Sequence, residues 1–225
     1  MRHGIYICPP QGSDLADAGA RWLGRDVFTG EPCRQPAVEG IEALTAAPRR
    51  YGFHATVVAP FRLAESRTVE GLQGALRAFC GGERPFAVRL AIARLGPFFA
   101  LVPEGQSEVL DALASRAVRY FHPFRAEPTA AETARRKPNT LTPGQRRMLK
   151  RWHYPYVLDE FRFHMTLTGA VPPDERDRME GALRSHFDAV LQRPFTVDAL
   201  ARYTQPEPGA DFRVRERILF SGAGA

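Results

Sequence analysis

The sequence carries one pattern twice, and that repetition limits the folds open to it. His54, Ala55 and Thr56 open one copy, and His164, Met165 and Thr166 open the other. Arg84, Pro85, Phe86 and Val88 follow the first histidine; Arg193, Pro194, Phe195 and Val197 follow the second at an offset one residue shorter. Around these landmarks the hydrophobic periodicity reads as strand, helix, strand, strand in each copy. A unit that small cannot cover both faces of its own sheet, so two copies are expected to pack about a pseudo-two-fold axis. The fold class expected is α+β: one bilobed domain of duplicated strand-helix-strand-strand units, with antiparallel sheets facing a central cleft.

The segments fill in that order. Gly4 to Cys8 predicts a short strand broken by Pro9 and Pro10, and Leu15 to Leu23 predicts a helix. Tyr51 to Phe61, rich in β-branched and aromatic residues, predicts a strand with the first motif inside it. Glu70 to Cys80 reads as a helix, Phe86 to Ala93 and Phe98 to Val102 as paired strands about Gly96 and Pro97, and Val109 to Phe121 as a helix. In the second copy Phe161 to Ala170 reads as a strand and Pro173 to Leu191 as a helix. Phe195 to Tyr203 and Phe212 to Phe220 supply two further strands. Lobe one then covers about 1–125 and lobe two about 153–225. Between them, at about 127–152, lies a basic insertion holding Arg135, Arg136, Lys137, Arg146, Arg147, Lys150 and Arg151, with a capped helix starting at Thr142 and Pro143. Such a segment is either a lid over an anionic substrate or a solvated charged face.

In a strand, positions i and i+2 share a face, so each histidine shares a surface with its threonine. Gly52, His54 and Thr56, with Arg162, His164, Thr166 and Thr168, place small or polar residues opposite apolar ones such as Phe53, Ala55, Phe163 and Met165. One such histidine would ordinarily be a hydrogen-bonded strand residue. Two in equivalent places make a four-residue site. Imidazoles near their reference pKa of about 6.5 divide labour at neutral pH, one neutral as base and one protonated as acid. That suits in-line phosphoester hydrolysis, with the hydroxyls of Thr56 and Thr166 donating to the non-bridging phosphate oxygens. No metal or cofactor is expected, because neither motif supplies an in-phase carboxylate or cysteine partner.

Arg162 lies in phase with His164 and is a candidate phosphate clamp; Tyr6 and Tyr51 are candidates to line the cleft or stack on a ring. The net charge of +6 favours anionic partners, and only Lys137 and Lys150 among the cations are lysines. The partner expected is a small phosphorylated metabolite, with RNA as a second candidate and neither a membrane nor an obligate protein partner. No run of 18 apolar residues occurs, and the apolar stretch before Pro9 is short, so a cytoplasmic location is expected. Cys8, Cys33 and Cys80 are odd in number and widely spaced, which excludes a disulfide framework and predicts buried, inert thiols.

These motifs resemble the two-histidine phosphoesterase superfamily, defined by two HxT or HxS motifs on a duplicated, bilobed scaffold. More narrowly, YGFHAT (Tyr51 to Thr56), LTPGQRRMLKRWHYPYV (Leu141 to Val157) and FRFHMTLTG (Phe161 to Gly169) resemble a branch encoded beside bacterial phosphonate-degradation genes. The opening GIYICPP and WLGRD (Trp22 to Asp26) extend that resemblance. It implies opening of a cyclic phosphodiester, a ribose cyclic phosphate being the branch's candidate, with His54, Thr56, His164 and Thr166 as acid, base and phosphate ligands. Val58 stands where the pattern often has a lysine, which removes one positive contact. Two other readings remain open at this point: an RNA-end 2',3'-cyclic phosphodiesterase, and a module that binds a nucleotide or sugar phosphate without turnover.

Overall fold

The structure, a computed structural model, describes residues 1–222. Its elements in chain order are β1 (Arg2–Ile7), α1 (Asp14–Leu23), α2 (Ile41–Arg49), β2 (Ala55–Phe61), α3 (Val69–Gly81), β3 (Phe86–Val88), β4 (Leu90–Leu95) and β5 (Phe98–Pro103). They continue with α4 (Glu108–Phe121), α5 (Ala130–Ala134), α6 (Pro143–Trp152), β6 (Met165–Thr166), α7 (Arg176–Leu191), β7 (Phe195–Val197), β8 (Ala199–Gln205) and β9 (Arg213–Leu219). The mixed α/β composition and the antiparallel pairing agree with the α+β expectation. Among the described residues no helix is long and apolar enough to cross a membrane.

Local chemistry sets the helix ends. Ser13 Oγ accepts from the Ala16 amide to start α1, and a capping box between Thr142 and Gln145 starts α6 one residue ahead of Pro143. Helix α2 has no counterpart in the sequence expectation: Thr45 and Pro48 interrupt its apolar stripe, yet both are buried within it.

Seven strands form one sheet in the order β4-β5-β6-β2-β1-β8-β9, with β3 and β7 pairing separately. The expected pair of facing sheets is therefore corrected to one continuous sheet. Ala55 of β2 pairs with Met165 of β6, which satisfies backbone groups that two separate sheets would leave at an edge. Strands from both halves of the chain alternate in it: β6 enters between β5 and β2, and β1 pairs with β2 on one side and β8 on the other.

The expected strand at Phe86 to Ala93 divides at Arg89. Its first part leaves to pair with β7, while β4 turns at Gly96, whose φ of 61° suits a residue without Cβ, and returns as β5. Helices α3, α4 and α7 pack against the strands, α7 also against α1, around a core that includes Trp22, Leu72, Leu76, Phe121, Met165 and Phe187. Cys8 and Cys80 lie buried, and burial pushes both thiols up to about 11; Cys33, expected to be buried, is half-buried.

Candidate active site

Both catalytic candidates lie one residue ahead of a strand rather than inside it, a second correction. Gly52, at φ 76°, turns the chain so tightly that a Cβ there would stand 2.3 Å from Val27. This turn brings the Gly52 carbonyl within 2.8 Å of His54 Nδ1. A carbonyl only accepts, so Nδ1 carries the proton and the neutral ring leaves a lone pair on Nε2, 3.2 Å from Thr56 Oγ1. The ring stacks on Tyr6 with centroids 4.1 Å apart, and Tyr203 lies 5.7 Å away. Burial pulls the His54 pKa down to about 4; the Gly52 carbonyl opposes this and the charge of His164 adds to it. At neutral pH His54 is a free base.

His164 repeats the arrangement. Its Nδ1 lies 2.8 Å from the Arg162 carbonyl, two residues back, so in both rings Nδ1 carries a proton and Nε2 is kept for other partners. The strand carrying it is short for a visible reason. The amides of Leu167 and Thr168 both donate to the Phe99 carbonyl, and Trp22 Nε1 takes the Leu167 carbonyl at 2.9 Å, so the ladder ends after Thr166. Since Ala55 lies opposite Met165, the antiparallel register continued one residue either way sets His54 across from Thr166 and Thr56 across from His164. His54, Thr56, His164 and Thr166 are all half-buried between buried neighbours.

The other sequence candidates divide. Thr168 is buried and structural: its hydroxyl accepts from the Phe99 amide at 2.9 Å and donates to the Gly169 carbonyl at 2.8 Å. Arg162 contributes its carbonyl to His164, while its side chain is exposed. Tyr6 is wholly buried, packed with Tyr203 and Phe212, and reaches the site as the platform under His54. Tyr51, 40% exposed, stacks on Phe212 at 5.1 Å and stands beside His54.

A cavity of about 320 Å³ is lined by Tyr51, His54, Thr56, Phe98 and Thr166. Beside it, sharing Tyr51 and Thr56, opens a larger one of about 660 Å³ bordered by Arg2, Arg50, Arg62, Arg125, Arg135 and Arg136. Sequence reasoning missed this second cavity because its arginines are scattered along the chain. Only Arg135 and Arg136 fell within the recognised basic insertion. That insertion is split: these two face the cavity, while Arg146, Arg147, Lys150 and Arg151 are exposed on α6.

Two bacterial proteins named "Ribose 1,5-bisphosphate phosphokinase PhnN" are similar over the whole chain. The one from Janthinobacterium sp. (strain Marseille) is 39% identical over 233 residues, which cover 99% of this chain and 51% of that protein. The one from Laribacter hongkongensis (strain HLHK9) is 34% identical over 230 residues, covering 100% and 53% respectively. The chain thus spans about half the length of the curated relatives it matches. Among solved structures, TT0787 of Thermus thermophilus aligns over 100% of both chains at 15% identity and a TM-score of 0.48. A phosphoesterase aligns over 98% of both at 12% identity and a TM-score of 0.42. The family match, "Protein of unknown function (DUF1045)", runs over residues 56–213 and takes in Thr56, His164 and Thr166. Covering well over half of its length, that match makes this chain a member of the DUF1045 family.

Proposed function

We propose that the chain is a metal-independent phosphodiesterase that opens a small cyclic phosphodiester, a ribose cyclic phosphate being the favoured substrate. The observation that carries this reading is the reciprocal pair: two imidazoles, each held through Nδ1 by a carbonyl two residues back and each across from the other motif's threonine. His54 Nε2, neutral at pH 7, removes a proton from water as its oxygen bonds to phosphorus. The phosphorus–oxygen bond of the ring breaks, and His164, acting as the imidazolium with a proton on each nitrogen, delivers its Nε2 proton to the departing oxygen. Thr56 and Thr166 donate to the non-bridging oxygens as their charge grows. Proton exchange with solvent resets both rings.

Several features support this reading. The resemblance to the two-histidine phosphoesterases rests on the same four residues. Duplication is supported by two pairings: Ala87 meets Thr196 at the centre of β3 and β7, and Ala55 meets Met165 between β2 and β6. The relatives' name supports a ribose phosphate substrate, but its kinase activity is ascribed here to the remainder of those longer proteins. A phosphate-cradling loop sets a lysine after glycines at a helix start, and Lys137 and Lys150 have no such setting.

The test is hydrolysis of a 2',3'-cyclic nucleotide and a ribose 1,2-cyclic phosphate, each with and without EDTA. Turnover that survives the chelator is expected; turnover that requires added metal would overturn the proposal. Thr56→Val and Thr166→Val are each expected to lower kcat about a hundredfold, the loss typical of one transition-state donor. A change below threefold in both would remove the hydroxyls from the reaction. The pH profile gives a further check. A base works only when unprotonated, and the pKa of His54 is lowered, so kcat/KM should fall as pH drops through about 4, not through 6.5. An acid limb centred near 6.5 would take the base role from His54.

A further inference from the structure

We infer that the arginine-lined cavity beside the histidine pair is a subsite for a second phosphate group, so that the substrate is a cyclic phosphodiester bearing a phosphate monoester at its far end. The substrate statement rests on the phosphodiesterase reading, whereas the anion subsite stands on the arginines alone. Six arginines border this cavity with a single carboxylate, Glu132, and that carboxylate is already paired with Arg62 at 3.2 Å.

Several arginines elsewhere in the chain find acids: Arg116 pairs with Glu83, Arg202 with Glu216 and Arg217 with Asp198. Here, Arg62 apart, Arg125, Arg136 and Arg2 are held by neutral partners. Arg125 donates to the Ala59 carbonyl at 2.8 Å and lies 5.2 Å over the Phe61 ring. Its Nε is buried with no hydrogen-bond partner among the described residues. Arg136 sits 4.7 Å over the Tyr154 ring, and Arg2 is fixed by Gln205 Oε1 at 2.7 Å.

A buried cation without a counter-ion is costly, and two close together cost more. Accordingly, burial and then the Arg136 charge pull the Arg125 guanidinium down to about 10. Carbonyl, amide and ring contacts fix the forks without neutralising them, which is the preorganisation a phosphate dianion needs. Thr56 and Tyr51 border both cavities, so a ligand whose diester rests against Thr56 extends past Tyr51 towards Arg125 and Arg136. The volume, about 660 Å³, lies in the range for one small molecule, and residues of the insertion form part of its wall, which disfavours a nucleic-acid strand.

The test has two arms. In the first, adenosine 2',3'-cyclic phosphate is compared with the same compound carrying a 5'-phosphate. The 5'-phosphate is expected to raise kcat/KM roughly tenfold to a hundredfold, as charge-assisted hydrogen bonds do. Arg125→Gln and Arg136→Gln should each bring that ratio towards one. Arg136, half-exposed on the insertion, keeps the test sound if the Arg125 variant folds poorly.

In the second arm, calorimetry measures inorganic phosphate binding, which requires no turnover. Binding should persist in His54→Ala and weaken at least tenfold in the two arginine variants. Phosphate binding without hydrolysis of either cyclic compound would leave the subsite standing while the phosphodiesterase reading fails. The subsite is overturned by a wild-type ratio of one, by phosphate affinity unchanged in both arginine variants, or by affinity for an RNA oligomer that rises with its length.

Discussion

His54→Ala is expected to lower kcat on a cyclic phosphodiester by about a thousandfold, within the range of a hundred to ten thousand that general acid–base groups supply. Its Nε2, the proposed base, stays unprotonated throughout the neutral range, because burial holds its pKa at about 4. Fold and activity separate cleanly here. The ring is half-buried, and its main packing is the stack on Tyr6 at 4.1 Å, so its removal costs roughly 0.5–1.5 kcal/mol of stability. Single-turnover kinetics beside a thermal melt tests this. A folded variant retaining a third of wild-type kcat would end the proposed base role. His164→Ala is expected to match it in rate, since acid and base act in the same step.

Trp22→Ala is expected to destabilise the protein by about 3–5 kcal/mol, the cost of emptying a large core site. The indole is wholly buried between α1 and α7, 5.2 Å from the His186 ring and 5.8 Å from Phe187. It also donates to the Leu167 carbonyl, one residue beyond Thr166. Trp22→Phe separates the two effects: it keeps most of the apolar volume but orphans that carbonyl, for about 1–3 kcal/mol. Urea unfolding of the pair checks both values. A Trp22→Phe variant as stable as wild type would show that the indole N–H does not hold the second motif in place.

The four residues of the candidate site were legible because a two-residue alternation survives local irregularity: Phe53, Ala55 and Val57 are buried while His54 and Thr56 are only half-buried. The extent of the strands was not legible. Leu167 reads as a strand residue until its carbonyl is claimed from the far side of the core by Trp22, a bond that no local pattern announces. For the same reason Phe86 to Val88 looked like the start of a hairpin, although its partner lies in the equivalent segment of the other copy. Tyr6 looked like a core aromatic and is one, but β1 pairs with β2 so that Tyr6 lies opposite Thr56, which also puts it under His54. The arginine cavity was invisible for another reason: Arg2, Arg50, Arg125 and Arg136 converge only through the tertiary fold.

The alternation of strands from the two halves also governs how the chain can fold. While only its first half exists, β2 and β5 each lack the neighbour that β6 later supplies, and β1 lacks β8. Neither half can close its sheet alone, so the long-range pairings must form together, at the high entropic cost that slows folding. An N-terminal half released early would present unpaired edges to other chains and be prone to aggregate. Because the sheet closes where β2 meets β6, the two histidines are brought together only once the second half has arrived.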